Sequence, residues 1–471
     1  MLNLFHRKEE TNSISVKCML NPRYIILQIL ALLLASINLY GISSSLPIVK
    51  AMSISGFAWL QGIVPLCLIL LAMVLTVRIG RKGNEKFTVK EINIRFCVIY
   101  YIAAISILVS SFHHYVGTGF RAFSLMMMFV FPVFYFFFRN EEDRKALFLS
   151  LAWAHVVTGA MLAIFCFYYA PYNYATFIGG RYNGIVSNPN TLALNMIVGV
   201  ICAVYLYSQY RGKVLIPITV FICIYFGLMT STGSRTAMLA AGAAVVICLT
   251  AFLISIIRSK HERRILITKS IVLVVVLLLC PSVNTLLFQL DNHYNKAANV
   301  KNPTENNVPL SNVVVDTIEE NEQLDTESTN RFLVNGKTLD ELSSFRISIW
   351  KEYISRLNWN GRDVREYPVV KIGETAFWGA HNTPLEIAYR CGIFTGVMYL
   401  VFELYLLLFV IINLFVKRKI RSDLIFSYIA ISGYFIASML DVHLLPVEAS
   451  YILLASLSFG PVMFQNRETL T

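Results

Sequence analysis

The sequence predicts an all-α integral membrane protein with about twelve transmembrane helices, and three observations support this fold class. Hydrophobic residues make up 56% of the 471 residues, and the mean hydropathy is +0.61. Charged residues amount to 14%, against roughly 25% in an ordinary globular protein. The apolar residues fall into stretches of about 20, the length with which a helix crosses the hydrocarbon core of a bilayer.

Twelve apolar stretches follow one another along the chain, with one long polar interval between the ninth and the tenth. The predicted spans are residues 24–46, 57–77, 95–112, 120–138, 146–169, 190–208, 213–230, 235–257, 265–286, 392–416, 423–441 and 446–465. This pattern divides the chain into helices 1–9 within residues 1–286, a large extracytoplasmic loop at 287–391, and helices 10–12 within 392–471.

The lysines and arginines indicate the side of each loop, because cytoplasmic loops carry an excess of both. If the N-terminus is cytoplasmic, the inner segments contain 25 of the 40 cations. The short outer loops contain four, which are Lys50, Arg121, Arg181 and Arg235. The other 11 lie in the large loop, which is too long for this rule. We therefore expect both termini in the cytoplasm. The net charge of +12 is spread over these loops, which argues against a nucleic-acid partner.

Two of the outer arginines stand beside predicted turns. Arg181 opens a stretch in which Pro189 predicts a turn and Asn190 is the expected N-cap of the next helix. Ser234 is expected to cap the eighth helix, so that Arg235 opposes the helix dipole in the first turn. An anionic ligand would reverse that penalty. Each arginine alone could equally extend to lipid headgroups. The two together favour an anion site.

A histidine stands just ahead of the tenth span. Thr383 and Glu386 predict a capping box with Pro384 at the first helical position, so we expect Glu386 to be a structural cap. The positive end of the helix dipole should keep His381 neutral near pH 7. A neutral imidazole can accept a proton from a hydroxyl group. On spacing alone, a loop histidine that bonds to the backbone is the simpler interpretation.

The large loop contains two different segments. Residues 301–330 are acidic and rich in Asn and Thr, and predict a mobile excursion. The segment Thr338–Leu357 predicts an amphipathic helix that lies along the membrane surface or over a cavity. On this helix, Arg346 could reach an anion, and Trp350 one turn away offers an apolar platform.

Four further ionisable residues are candidates. Asp441 in the last outer loop could orient a partner, although ordinary loop polarity is the simpler explanation. Arg390 is expected to close the start of a span at the interface. His155 and Glu403 fall within spans, where ionisable residues are uncommon and often functional, but neither has an obvious partner in the sequence.

These features together resemble the O-antigen ligase and polymerase superfamily of bacterial membrane glycosyltransferases. The resemblance covers roughly residues 95–460. It is carried by short motifs, by their order along the chain and by their shared predicted position on the outer side of the membrane. The motifs are Asn188-Pro189-Asn190, Ser234-Arg235, Arg346 with Trp350, and His381-Asn382 followed by Gly392 and Thr395.

The resemblance implies a GT-C-like membrane glycosyltransferase fold and a lipid-diphosphate-linked oligosaccharide as donor. It implies that His381 is the catalytic base and that Arg181, Arg235 and Arg346 bind the diphosphate. The residues expected to support them are Asn190, Ser234, Trp350, Asn382 and Asp441. No metal or other cofactor is expected, because the leaving group is already activated and arginines stand in for a cation.

The expected function is a repeat-unit polymerase for a capsular, O-antigen or exopolysaccharide pathway. It would transfer glycan from undecaprenyl diphosphate to an acceptor sugar hydroxyl, at the outer face of the bacterial plasma membrane. A ligase that moves finished glycan to another acceptor is the alternative within this class. A flippase for the lipid-linked oligosaccharide is less favoured, because no internal repeat is visible. A receptor-like or structural protein stays open. Expected partners are the lipid-linked oligosaccharide, the acceptor glycan and the bilayer, with a chain-length regulator as a further candidate.

Overall fold

The structure of the protein is a computed structural model that describes part of the chain. The described residues are 22–43, 57–80, 92–113, 118–169, 177–178, 181–186, 188–258, 262–279, 282, 286, 338, 340, 343, 345–363, 370–372, 375–377, 379–441 and 455–464. The acidic 301–330 segment lies outside these residues.

Eight helices in the described residues are long and apolar enough to cross a membrane. The helices that contain them are α3 (Ile94–His113), α4 (Thr118–Phe137, with a π-helical turn at Met126–Val130), α5 (Glu141–Tyr169), α6 (Pro189–Gln209), α7 (Leu215–Ser231), α8 (Arg235–Arg258), α12 (Ile393–Ile411, continued by a π-helical turn to Val416) and α13 (Ser422–Leu440). Each lies within a few residues of a predicted span.

Three further helices coincide with the first, second and ninth predicted spans. They are α1 (Pro22–Ser43), α2 (Phe57–Gly80) and α9 (263–279). Of the twelfth span, the described residues 455–464 include the short helix α14 (Gly460–Met463). The mostly helical membrane fold is therefore confirmed, whereas the total of twelve spans and the position of the large loop stay predictions.

The helix α6 forms the centre of the bundle and packs against α5, α7, α8 and α13. Small residues allow this close approach, as they commonly do between helices in membranes. At Gly199, a Cβ atom would lie 2.8 Å from the ring of Tyr225 on α7. On the α13 side, the rings of Tyr205 and Phe426 meet edge to face with centroids 4.9 Å apart. The helix is therefore buried on nearly every side.

The end of the bundle that carries the predicted cytoplasmic cations is held by polar contacts. Arg144 at the start of α5 forms an ion pair of 3.0 Å with Asp423 at the start of α13, and both side chains are buried. Arg421 pairs with Glu141 at 3.2 Å. These contacts join the starts of α5 and α13.

Shorter elements cover the opposite end. They are the antiparallel hairpins β1 (Phe177–Ile178) with β2 (Arg181–Tyr182) and β3 (Val370–Ile372) with β4 (Thr375–Phe377), and the helices α10 (Arg346–Ser355) and α11 (Thr383–Cys391). Helix α10 packs on α11 through a small apolar cluster that includes Ile349, Tyr353 and Tyr389. The Tyr353 and Tyr389 rings have centroids 4.9 Å apart.

The amphipathic helix is shorter than predicted. It begins at Arg346, because Phe345 adopts a left-handed conformation with φ of 61°. Such a residue cannot continue a right-handed helix. The side chain of Phe345 does not cap the helix, and the Asp340 carboxylate accepts a hydrogen bond of 3.2 Å from the Ser348 N–H group instead. Arg346 therefore occupies the first helical position, next to the bundle.

Candidate functional site

Arg181 connects two helix ends of the bundle. From the start of β2, its Nε atom donates to the Thr232 carbonyl oxygen at 2.7 Å, just beyond α7. Its Nη2 atom donates to Oδ1 of Asn190, at the start of α6, at 2.5 Å. The guanidinium group is therefore fixed between the start of α6 and the turn that leads into α8.

The sequence predicted Asn190 as the N-cap of α6, and this prediction is wrong. The cap is Asn188, whose extended backbone (φ −143°, ψ 131°) precedes Pro189 in the first turn. Its side chain accepts a hydrogen bond of 2.8 Å from the Asn190 N–H group. Proline is favoured at the first helical position because it lacks an N–H group that would need a partner. The side chain of Asn190 is thus available to hold Arg181.

The turn between α7 and α8 presents Arg235. Gly233 has φ of +59°, and a Cβ atom there would lie 3.5 Å from Cγ of Arg181. Ser234 Oγ accepts from the Ala237 N–H group at 3.5 Å, so Ser234 caps α8 as predicted. Arg235 is the first residue of α8. Its charge therefore lies at the positive end of the helix dipole, beside the turn that Arg181 contacts.

Arg346 links three segments that are distant in sequence. Its Nε and Nη1 atoms donate to the carbonyl oxygens of Leu440 and Ser343, each at 2.8 Å, and Nη2 donates to Oγ1 of Thr236 at 3.0 Å. Burial lowers the pKa of Arg346, the Asp441 carboxylate opposes this, and the Arg235 charge adds to it. Arg235, Arg346 and Asp441 are therefore electrostatic neighbours.

His381 forms a pair with Asp441. Its Nδ1 atom lies 3.1 Å from Oδ1 of Asp441, and the side chains are 28% and 18% exposed. Two contacts hold the neighbouring backbone: Asn382 Nδ2 donates to the Met439 carbonyl oxygen, and Thr383 Oγ1 donates to that of Asp441, each at 2.9 Å. The histidine is thus fixed to the end of α13 and is still accessible to solvent.

The predicted capping box of Thr383 and Glu386 is wrong. Asn382 is the N-cap of α11, and its Oδ1 atom accepts from the Leu385 N–H group at 2.8 Å. Glu386 accepts from the Ala380 N–H group at 2.9 Å and pairs with Arg390 at 3.0 Å. Arg390 is fully buried rather than interfacial. Asparagine is a better cap than threonine, and Pro384 still lies in the first turn.

Trp350 holds the segment before His381 from the other side. Its Nε1 atom donates to the Ala380 carbonyl oxygen at 2.9 Å. The polar edge of the indole ring is thereby used for structure. Trp350 and Arg346 lie one turn apart on α10, so this helix contacts both the histidine segment and the end of α13.

Gly392 and Thr395 have structural roles at the break between α11 and α12. Gly392 has φ of +96°, and a Cβ atom there would collide with the Trp359 carbonyl oxygen. Thr395 Oγ1 donates to the Cys391 carbonyl oxygen at 3.1 Å and lies 3.4 Å from Oγ of Ser110 on α3. This break allows α11 to turn away from the span and place His381 at the bundle end.

The structure brings all nine predicted site residues to one end of the bundle. Hydrogen bonds connect Arg181 to Asn190 and Thr232. The consecutive residues Met439, Leu440 and Asp441 are hydrogen-bonded to Asn382, Arg346 and His381, respectively, and Arg346 also binds Thr236. Ser234 and Arg235 lie between Thr232 and Thr236 in the chain. Sequence reasoning missed the backbone acceptors and Thr236, because nothing in a linear pattern marks them.

Among the described residues, the two intramembrane candidates Glu403 and His155 lie away from this end of the bundle. Glu403 on α12 accepts a hydrogen bond from Ser438 on α13. His155 is buried in α5, and its Nε2 atom has no hydrogen-bond partner among the described residues. Neither contributes a side chain to the group around His381.

Part of the chain is similar to a known protein family. Residues 218–400 match the family model described as O-antigen ligase. The matched region runs from α7 to the first turns of α12 and includes Arg235, Arg346 and His381. No curated protein and no solved structure matches the chain significantly. This match supports the resemblance to the O-antigen ligase and polymerase superfamily that the sequence motifs indicate.

Proposed function

We propose that this protein is a repeat-unit polymerase that extends a surface polysaccharide at the outer face of the bacterial plasma membrane. The donor is a glycan linked to undecaprenyl diphosphate, and the acceptor is a sugar hydroxyl. The observation that carries the proposal is the His381–Asp441 pair, which shares one end of the bundle with Arg181, Arg235 and Arg346. The similarity of residues 218–400 to the O-antigen ligase family supports the broader class, glycan transfer by a membrane enzyme.

His381 acts as the general base in this scheme. The Asp441 carboxylate accepts from Nδ1–H, so the lone pair of Nε2 is free to accept the proton of the acceptor hydroxyl. The same carboxylate stabilises the imidazolium ion, which counters the effect of the nearby helix start. Asp441 therefore both selects the tautomer and offsets the charge that forms on His381.

The arginines act on the leaving group. As the acceptor oxygen bonds to the anomeric carbon, the bond from that carbon to the diphosphate oxygen breaks, and its electron pair stays on the diphosphate. Arg235 and Arg181 stabilise this charge, and the N-terminal amides of α8 add to their effect. Arg346 contributes mainly through its positive charge, since three of its five N–H donors are already bound within the protein.

The decisive experiment compares Arg235→Ala and His381→Ala in a bacterial strain that lacks the chromosomal copy of this gene. We expect both variants to reach the membrane at normal levels and to yield no long polysaccharide on gels. Arg258→Ala is the matched control, because that arginine lies at the other end of α8. Full-length polymer from either site variant would overturn the proposal.

The same strain separates the polymerase from a ligase. Without a polymerase, single repeat units are attached to the final acceptor, whereas without a ligase, long chains accumulate on the lipid carrier. A flippase is tested by supplying lipid-linked repeat units on the outer side only. An enzyme lengthens them there and a transporter does not. Labelling that placed residues 181, 235 and 381 in the cytosol would contradict every form of this mechanism.

A further inference from the structure

His381 has an unusual backbone conformation. Its φ of 47° places it in the left-handed region, which costs free energy for any residue other than glycine. Such a conformation persists only where the surroundings hold it, and these cases concentrate at functional sites. The side-chain contact with Asp441 fixes the imidazole ring, but it does not by itself fix the peptide that leads into His381. Some other group has to do so.

The preceding residue, Ala380, supplies that anchor. It is completely buried, and both of its backbone polar groups are bound by side chains. Its N–H group donates to Oε2 of Glu386 at 2.9 Å. Its carbonyl oxygen accepts from Nε1 of Trp350 at 2.9 Å. The peptide units next to His381 are therefore clamped between α10 and α11.

Glu386 is itself held in place by a buried ion pair. Its Oε1 atom lies 3.0 Å from Nε of Arg390, one turn further along α11, and the two side chains are 2% and 0% exposed. Arg390 Nη1 in turn donates to the Asp363 carbonyl oxygen at 3.1 Å. Burying two charges is costly, and similar apolar residues often give equal or greater stability. Stability alone therefore explains this pair poorly.

We propose that Glu386 is a positioning residue for the reaction, and this rests on the proposed function of His381. Glu386 accepts a hydrogen bond from the Ala380 N–H group and so imposes the backbone conformation that directs the His381 ring toward Asp441. Arg390 fixes the carboxylate in the required rotamer and ties it to the loop at Asp363. Glu386 touches no reacting atom, because the protein buries it behind the histidine.

The test separates this hydrogen bond from the ion pair with two matched double variants. The glutamine double variant, Glu386→Gln with Arg390→Met, removes both charges but retains an acceptor for the Ala380 N–H group. The methionine double variant, Glu386→Met with Arg390→Met, removes both charges and the acceptor. Neither leaves a buried charge without its partner, which is the usual cause of misfolding after single replacements. The two chains differ in one side chain of similar length.

The assay uses detergent-solubilised protein and the lipid-linked glycan extracted from the deletion strain that accumulates it. We expect similar melting temperatures for the two double variants. The methionine double variant should have a kcat lower by on the order of 10 to 100-fold than the glutamine double variant, with KM for the lipid-linked glycan little changed. The glutamine double variant should stay close to wild type.

Equal kcat values for the two double variants would overturn the proposal, and so would a difference that tracks melting temperature. A change confined to KM would also contradict it, because it would place Glu386 in substrate binding. These outcomes are distinct from failure of the proposed function. If His381→Ala retained activity, the histidine would not be the base, whatever the result at position 386.

Discussion

The Nδ1 atom of His381 lies 3.1 Å from Oδ1 of Asp441, although the two residues are 60 positions apart. The pair joins the segment before α11 to the residue that follows α13. Two neighbouring hydrogen bonds, from Asn382 and Thr383, connect the same two segments. The geometry is therefore fixed by the backbone around the pair as well as by the pair itself.

Replacing Asp441 with Asn should reduce the rate of chain extension by on the order of 10²-fold or more, the size of effect seen when general-base catalysis is lost. The amide keeps the shape but can donate a hydrogen bond to Nδ1, which favours the tautomer with the proton on Nε2. Consumption of lipid-linked glycan by isolated membranes measures this. Glu352→Gln is the control, because Glu352 forms an exposed ion pair with its helix neighbour Arg356. Normal extension by the Asp441→Asn variant would exclude Asp441 from the mechanism.

Replacing Arg181 with Lys should raise KM for the lipid-linked donor about tenfold. A lysine cannot donate simultaneously to the Thr232 carbonyl oxygen and to Asn190 with the planar geometry of a guanidinium group. Arg121→Lys is a matched control, since Arg121 also donates to a backbone carbonyl, that of Ser111. If both replacements raised KM equally, the result would indicate a general effect of the arginines and not a specific binding site at Arg181.

Replacing Gly233 with Ala should destabilise the protein by about 1–2 kcal/mol, because φ of +59° is strained for any residue with a Cβ atom. The change also displaces the turn against which Arg181 packs, so activity should fall too. Gly242→Ala, in the middle of α8 with open space around it, should be neutral or stabilise by up to about 1 kcal/mol. Thermal unfolding in detergent measures both. Equal effects at the two glycines would show that the turn is not strained.

Much of the fold could be predicted from the sequence because the bilayer imposes a length on each helix. The start and end of α6, α8 and α13 lie within two residues of the predicted spans. Lipid requires every spanning backbone to satisfy its own hydrogen bonds, so hydropathy alone marks the helices. The position of Arg235 could be predicted from a local signal, since Gly233 and Ser234 mark the start of the helix.

The details of the site were harder to predict because they depend on tertiary contacts. Asn188 and Asn382 take the caps that were assigned to Asn190 and Thr383, although an asparagine just before a first-turn proline was a usable signal. Glu386 was predicted to be a cap, whereas it binds Ala380 and Arg390. Asp441 has the spacing of an ordinary loop residue, and only folding brings it to His381.

Replacing Asp423 with Asn should cost about 3–5 kcal/mol, because it leaves the guanidinium group of Arg144 buried without a counter-charge. The matched control is Glu262→Gln. Its partner Arg211 is 44% exposed and can turn to water, so the loss there should be at most about 1 kcal/mol. A double replacement, Arg144→Met with Asp423→Leu, should recover most of the loss, since it removes both charges.

Denaturation of the purified variants in detergent measures these differences. Because Asp423 lies in the first turn of the helix that ends at Leu440, the single variant should also lower the amount of protein in the membrane while the activity per molecule stays normal. A normal amount of protein in the membrane with low activity would instead assign the Arg144–Asp423 pair to catalysis, although it lies at the opposite end of α13 from Asp441. Equal losses for Asp423→Asn and Glu262→Gln would show that burial does not determine the strength of these two ion pairs.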